Sequence, residues 1–430
     1  MFARCPALAL LVFASAARFA EENEKQLLES LQAVPEVRLL SDEQMLADLD
    51  QKELLTKRLP PKGTSRAALV CQHNQQLHEA LLSAAKREGL PVKITGAALP
   101  FREAVVMQAL SRELRAAGFV SFTASERSQE ETAAAFEKWC AANHIEKFAG
   151  VPGTLVQMMQ VEEEPIRLEM IGQLDKIGSA KASAALAKRA LFDSSAEARK
   201  AAVAALKKRQ PKEYMPELLK GFRHPWPAVA EHAADALAKL KPPESEAALV
   251  QLLDKTDPRA PFRDPKTKKL MVPEMVRINH LRNCFLCHAA SAGEGDGLLV
   301  ASLPEPSRLV QKGKNKDQLK RTNNQEKPAS STGRPYYAPP VKDAVRADLT
   351  FLRQDFSAML KGKDGKPERF DFFIRTRRAK PEDWLGLSDN DMDYPQRKSV
   401  LRALRKITGK DGGDSPGRWR ELLGITTREK

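Results

Sequence analysis

Residues 186–208, LAKRALFDSSAEARKAAVAALKK, decide the fold. Ala198, Ala202, Val203, Ala205 and Leu206 in this stretch recur as Val229, Ala233, Ala234, Ala236 and Leu237. Leu174, Leu206 and Leu237 are spaced by 32 and 31 residues, and Leu186, Leu218 and Leu249 repeat with the same offsets. Two registers moving together define a period. Each period holds two short amphipathic helices, such as 196–208 and 215–222, joined by a polar or proline-bearing turn. One such pair cannot bury its own apolar face, so neighbouring pairs must stack.

The segment resembles the HEAT repeat, with Asp193 and Arg199 at that repeat's usual turn and helix-start positions. Arg167 occupies the equivalent place one period earlier, whereas the third unit departs with His224 and Ala230. The resemblance covers about a quarter of the chain. It implies a curved helical scaffold that commonly mediates protein contacts, and it implies no reaction. Composition agrees with helix packing: aromatics make up only 6% of 430 residues, and alanine and leucine dominate an apolar share of 42%. The expected fold is therefore mainly α, a HEAT-like solenoid with a motif-bearing segment and a small β-hairpin region.

Downstream of the repeats stands Asn283-Cys284-Phe285-Leu286-Cys287-His288. Cys-x-x-Cys-His is the attachment sequence of c-type haem. Thiols three residues apart lie about one helical turn apart, where they can add to the two vinyl groups along one porphyrin edge. The following imidazole, His288, then binds iron on the proximal side. The pentapeptide resembles the haem signature of cytochromes c at all its fixed positions. The stretches INHLRNCFLCHAAS (278–291), VRADLTFLRQDFS (345–357) and RFDFFIRTR (369–377) look like a family of exported bacterial proteins that join HEAT-like repeats to a single such motif. That likeness implies one covalent haem c on Cys284, Cys287 and His288, and no defined substrate. The glycine-rich N-terminal helix and methionine loop of a standard cytochrome c are not found. Met359 is the expected distal iron ligand, against packing beside Phe356 and Leu360 as the plainer reading; Met392, Met271, Met275 and His280 are the other candidates considered. An upstream residue tends to stay on the His288 side of the ring, which argues against His280.

Two rival readings use the same residues. His280, Cys284, Cys287 and His288 could serve tetrahedral zinc, although adjacent Cys287 and His288 make that geometry awkward. A Cys284–Cys287 disulfide would be a local staple, since no βαβ pattern of the redox-active kind surrounds the pair. Gly293-Glu294-Gly295-Asp296-Gly297 fits neither an EF-hand nor a P-loop and reads as a turn. No His-Glu-x-x-His helix or Gly-x-Ser-x-Gly elbow is present, and the second attachment motif of a di-haem peroxidase is absent. No catalytic residue is assigned; electron transfer or binding fits better than an enzyme.

Arg4, the apolar run 7–12 and the small residues Ala14-Ser15-Ala16-Ala17 have the form of a secretory signal peptide over 1–20. The run is short for a bilayer span, so no integral span is expected after its removal. A periplasmic or otherwise exported location follows, and it suits haem attachment. It also leaves Cys71 and Cys140 either paired or as buried thiols. The remaining divisions are a helical region 21–158, repeats 159–256, a motif segment 257–302, a basic Pro-rich linker 303–340, a β-hairpin region 341–382 and a helical tail 383–430. Leu349–Leu352 and Arg369–Ile374, flanking the polar segment 361–367, are the expected hairpin strands. His73 and His78, five apart, read as surface residues, and His224, Trp226 and His232 as packing or surface residues. The net charge of +14 favours an anionic partner. A redox or scaffold protein with an acidic face fits, while no zinc-finger or RNA-binding signature points to nucleic acid.

Overall fold

The structure is a computed structural model. It describes residues 24–37, 78–92, most of 151–280, 284–290, 300–302, 344–350, 354–385 and 393–425, with a few positions between 131 and 144. The expectations for the signal segment, Cys71, His73, the glycine turn at 293–297, Met392 and the 303–340 linker lie outside the described residues.

Helices α1 (24–32) and α2 (78–87) precede the solenoid. The solenoid comprises α3 (Val151–Met159), α4 (Glu164–Lys176), α5 (Ala180–Phe192), α6 (Ala196–Leu206), α7 (Pro211–Gly221), α8 (Pro227–Leu240) and α9 (Ser245–Leu253). Its starts obey capping chemistry. Ser179 accepts from the Ala182 amide and Ser195 from those of Glu197 and Ala198, while α7 and α8 begin on prolines. The six leucines that set the sequence period, Leu174, Leu186, Leu206, Leu218, Leu237 and Leu249, are all fully buried in one core.

The turns repeat as well. Asp193 Oδ1 accepts from the Ser195 amide at 3.0 Å, His224 Nδ1 from the Trp226 amide at 3.2 Å, and Asp257 Oδ1 from the Arg259 amide at 2.8 Å. His224 thus does the aspartate's turn-closing work in the unit that departs from the pattern. Arg199 donates to the carbonyls of Asp193 (2.7 Å) and Ser194 (2.9 Å), and Arg167 to that of Glu162 (2.7 Å), the equivalent contact one period earlier.

A four-stranded antiparallel sheet in the order β1-β2-β7-β6 lies against the solenoid. Its strands are β1 (Phe262–Arg263), β2 (Leu270–Asn279), β6 (Phe356–Lys361) and β7 (Pro367–Arg378). A second sheet holds β3 (His288–Ala290), β5 (Ala344–Thr350) and β4 (Val300–Ser302), in that order. The hairpin is therefore β6–β7 around the turn 362–366. Leu349 and Thr350, expected as its first strand, belong to β5. The alternation of buried Phe356, Ala358 and Leu360 is the signal that identifies the true partner strand.

Register sorts the first sheet into two faces. Phe356, Phe370 and Phe372 face the solenoid. There Phe356 stacks on Phe372 (centroids 4.6 Å apart), Phe192 (5.1 Å) and Trp226 (5.3 Å). Val276, Ile278 and Phe373 point the other way, into a core shared with Val37, Ala85, Leu90 and Leu286. Gly89, at φ +71°, follows α2 and lets its carbonyl accept from the Thr376 amide at 3.1 Å. A Cβ there would sit 2.0 Å from the Thr376 oxygen.

Helices α11 (Pro395–Thr408) and α12 (Pro416–Leu423) return to the repeats. A one-turn helix, α10 (Cys284–Cys287), sits between β2 and β3. Val400, Leu401, Leu404 and Trp419 join the solenoid core, and Gln396 donates to the His224 carbonyl at 3.0 Å. The expected helical tail thus contains two helices, and the tryptophan of the second, Trp419, is wholly buried.

Candidate functional site

The motif segment is built on the sheet face turned away from the solenoid. The ten-residue strand β2 delivers His280 at its end, and the one-turn helix α10 follows. Phe285 and Leu286, the two variable positions of the motif, are buried, and Leu286 packs among Val276, Ile278 and Phe373. Those contacts fix the turn of helix and leave Cys284, Cys287 and His288 partly accessible. Cys284 and Cys287 are not joined by a disulfide. His288 comes immediately after α10 as the first residue of β3, paired with Thr350.

Sequence reasoning missed three groups here. His78, expected at the surface, is buried, and its Nδ1 lies 2.5 Å from the Phe285 carbonyl oxygen. Burial lowers its pKa, partly offset by that hydrogen bond. The pairing is tertiary and spans 207 residues, so local spacing carries no sign of it. Asp371 and Arg369, quoted only as part of a strand, form the polar centre beside the motif. The buried Asp371 carboxylate accepts from Ser357 Oγ (2.5 Å) and Arg369 Nε (3.0 Å), and its Oδ2 lies 2.6 Å from His280 Nδ1. Burial alone would raise the Asp371 pKa. Arg369, His280 and Ser357 overcome it and hold the carboxyl well below the usual carboxylate range.

The same cluster reaches the motif. Cys284 Sγ lies 3.8 Å from the His280 carbonyl oxygen. Burial, followed by the Asp371 charge and Cys284, pushes the Cys287 thiol up, against the opposing pull of Arg369. The cost of forming the thiolate that zinc takes is thereby raised. Among the described residues no three His, Cys, Asp or Glu side chains gather as a metal-binding group.

Met359 lies on β6 opposite Arg369, so alternation puts it on the Asp371 face and away from Phe356 and Leu360. It also lines a cleft of about 610 Å³ with Glu24, Glu162, Phe192, Asp193 and Phe356. Cys284, Cys287 and His288 do not line that cleft. The structure therefore assembles the three motif residues into one unit and sets Met359 further along the same face.

The repeat geometry has a counterpart among known families. Residues 189–261 match the family model for HEAT repeats. The match begins within α5 and runs past α9, which is where the turn-closing residues Asp193, His224 and Asp257 recur. HEAT repeats generally mediate protein–protein contacts. No curated protein and no solved structure matches the chain. No helix among the described residues is long and apolar enough to cross a membrane.

Proposed function

We propose that the protein is an exported, singly haem-bearing electron-transfer protein whose HEAT repeats dock its partner. The observation that carries this reading is the motif's construction. Two cysteines stand one helical turn apart on α10, anchored by Phe285 and Leu286, with His288 next in the chain. This arrangement fits the group: thiols at that spacing reach one porphyrin edge, and the next imidazole reaches the metal. Haem c, when bound, would supply a one-electron couple.

The chain's own residues do the rest. Cys284 and Cys287 would hold the group covalently, and His288 would supply a nitrogen to its iron. His78 fixes the α10 backbone through the Phe285 carbonyl, and Asp371 with Arg369 sets a fixed charge pair beside the attachment edge. Met359 would be the further residue offered to the iron, and its sulfur would favour a higher potential than a second imidazole. An acidic protein face is the expected partner for a chain of net charge +14.

Denaturing-gel haem staining of protein made with the periplasmic maturation machinery tests this directly. The wild type should stain, and Cys284→Ala combined with Cys287→Ala should abolish staining. A colourless exported protein with unmodified thiols would reject the reading. What would then remain is a haem-free HEAT-repeat interaction scaffold, which the family match already supports.

A further inference from the structure

Large apolar side chains that face solvent are few among the described residues: Phe262, Leu270, Trp384, Leu385 and Leu422. Four of the five belong to one end of the first sheet, Phe262 and Leu270 on opposite faces of the β1–β2 pair and Trp384 and Leu385 just beyond the end of β7. Phe262 pairs with Met271, and Met271 pairs with Arg378. The Ala379 amide donates to the Leu270 carbonyl at 3.0 Å, bringing the end of β7 beside Leu270. The 3₁₀ turn Pro381–Trp384 follows at once, clamped back by Asp383 on Arg377 at 2.5 and 2.8 Å. Trp384 is 51% exposed and Leu385 79%.

The same end is strongly basic. Arg263, Lys266, Lys268, Lys269, Arg378 and Lys380 are all exposed there. The acids close to them are occupied. Asp264 Oδ1 accepts from the Lys266 amide (3.1 Å), the Thr267 amide (2.6 Å) and the Thr267 hydroxyl (2.8 Å), which builds the β1–β2 turn and holds its lysines outward. Asp383 is taken by Arg377 and the Lys380 amide. Glu382 is the exposed acid left.

We infer that this sheet end is a docking surface for an anionic lipid surface. Exposed apolar residues on turn ends, interleaved with lysines whose local acids are consumed, match a planar negative layer with apolar depth beneath it. Tryptophan favours the headgroup level of a bilayer, and long lysine stems let the charge stay in water while the chain inserts. None of the four lines the cleft described above, so they stand on the outer surface, where a fluid apolar layer can receive them without a matched recess. The inference does not depend on haem.

Co-sedimentation of the chain, as recovered from cells, with phosphatidylglycerol vesicles and with phosphatidylcholine vesicles tests it. Binding should be confined to the anionic vesicles and fall with salt. Each of Lys266→Gln, Lys268→Gln and Lys269→Gln should lower the partition coefficient about fivefold at low salt. Trp384→Ser with Leu385→Ser should lower it by at least a similar factor while leaving the circular dichroism unchanged. Equal binding to both lipids, anionic binding indifferent to the tip substitutions, or binding to polyglutamate but not to vesicles would each overturn the inference.

Discussion

At the scale of single residues, two buried carboxyl groups have opposite fates because the cations and hydrogen-bond donors outweigh burial at Asp371 and do not at Glu162. Glu162 is buried at the α3–α4 turn, and burial followed by the Glu163 charge raises its pKa to about 9, against a smaller pull from Arg167. A folded pKa above the unfolded value means stability that is complete below about pH 4.5 and declines as pH rises towards 9. Glu162→Gln should therefore raise the melting temperature at pH 7 and leave it unchanged at pH 4. The gain should be on the order of 3 kcal/mol at neutral pH in denaturant titration. Asp371 has the reverse sign: its depressed pKa contributes stability above the ordinary carboxylate range and loses it in acid. Asp371→Ala removes the buried acceptor shared by Arg369, His280 and Ser357 and should cost about 3–5 kcal/mol at pH 7, with the difference from wild type narrowing below about pH 4.

At the scale of elements, the solenoid was legible because its signal is redundant. Leu174, Leu206 and Leu237 each occupy the same buried place, so every copy of the period supports the others. Leu206→Ala should cost about 2–5 kcal/mol by opening a cavity between α4, α6 and α8. The sheet was harder to read. β2, LMVPEMVRIN, alternates buried Val272, Val276 and Ile278, but Pro273 and its charged neighbours mask that alternation in the sequence. The hairpin's first strand was misplaced because Leu349–Leu352 looks more strand-like than Phe356–Lys361. Pairing is decided instead by the 362–366 turn and by the stacking of Phe356 on three rings. Phe356→Ala should cost about 3–5 kcal/mol and loosen sheet from solenoid, read as faster amide exchange in β6 and β7. The motif's spacing was legible in five residues. Its surroundings were not, because His78, Asp371 and Ser357 reach it only through tertiary contacts.

At the scale of the whole molecule, one sheet joins two jobs. One of its faces rests on the repeats through aromatic stacking, and the other carries the one-turn helix with Cys284 and Cys287. A partner gripping the repeats would thus meet a platform held rigidly against the proposed redox centre. Gly89→Ala should disturb only the second face, since the added methyl meets the Thr376 carbonyl. Less covalent haem attached during maturation, with an unaltered melting transition for the repeats, would demonstrate that division, whereas loss of both together would show a single cooperative unit.

The sealing of the solenoid by α11 and α12 has a consequence for how the polypeptide matures. Val400, Leu401, Leu404 and Trp419 join the solenoid core where α11 packs on α8 and α9 and α12 on α9, a contact between segments separated in sequence by both sheets. Closing such a loop is entropically slow, and until it closes the last repeat presents a raw apolar flank. The chain therefore stays vulnerable to self-association until α11 and α12 arrive, and any factor that keeps it single in that interval would have to shield α8 and α9.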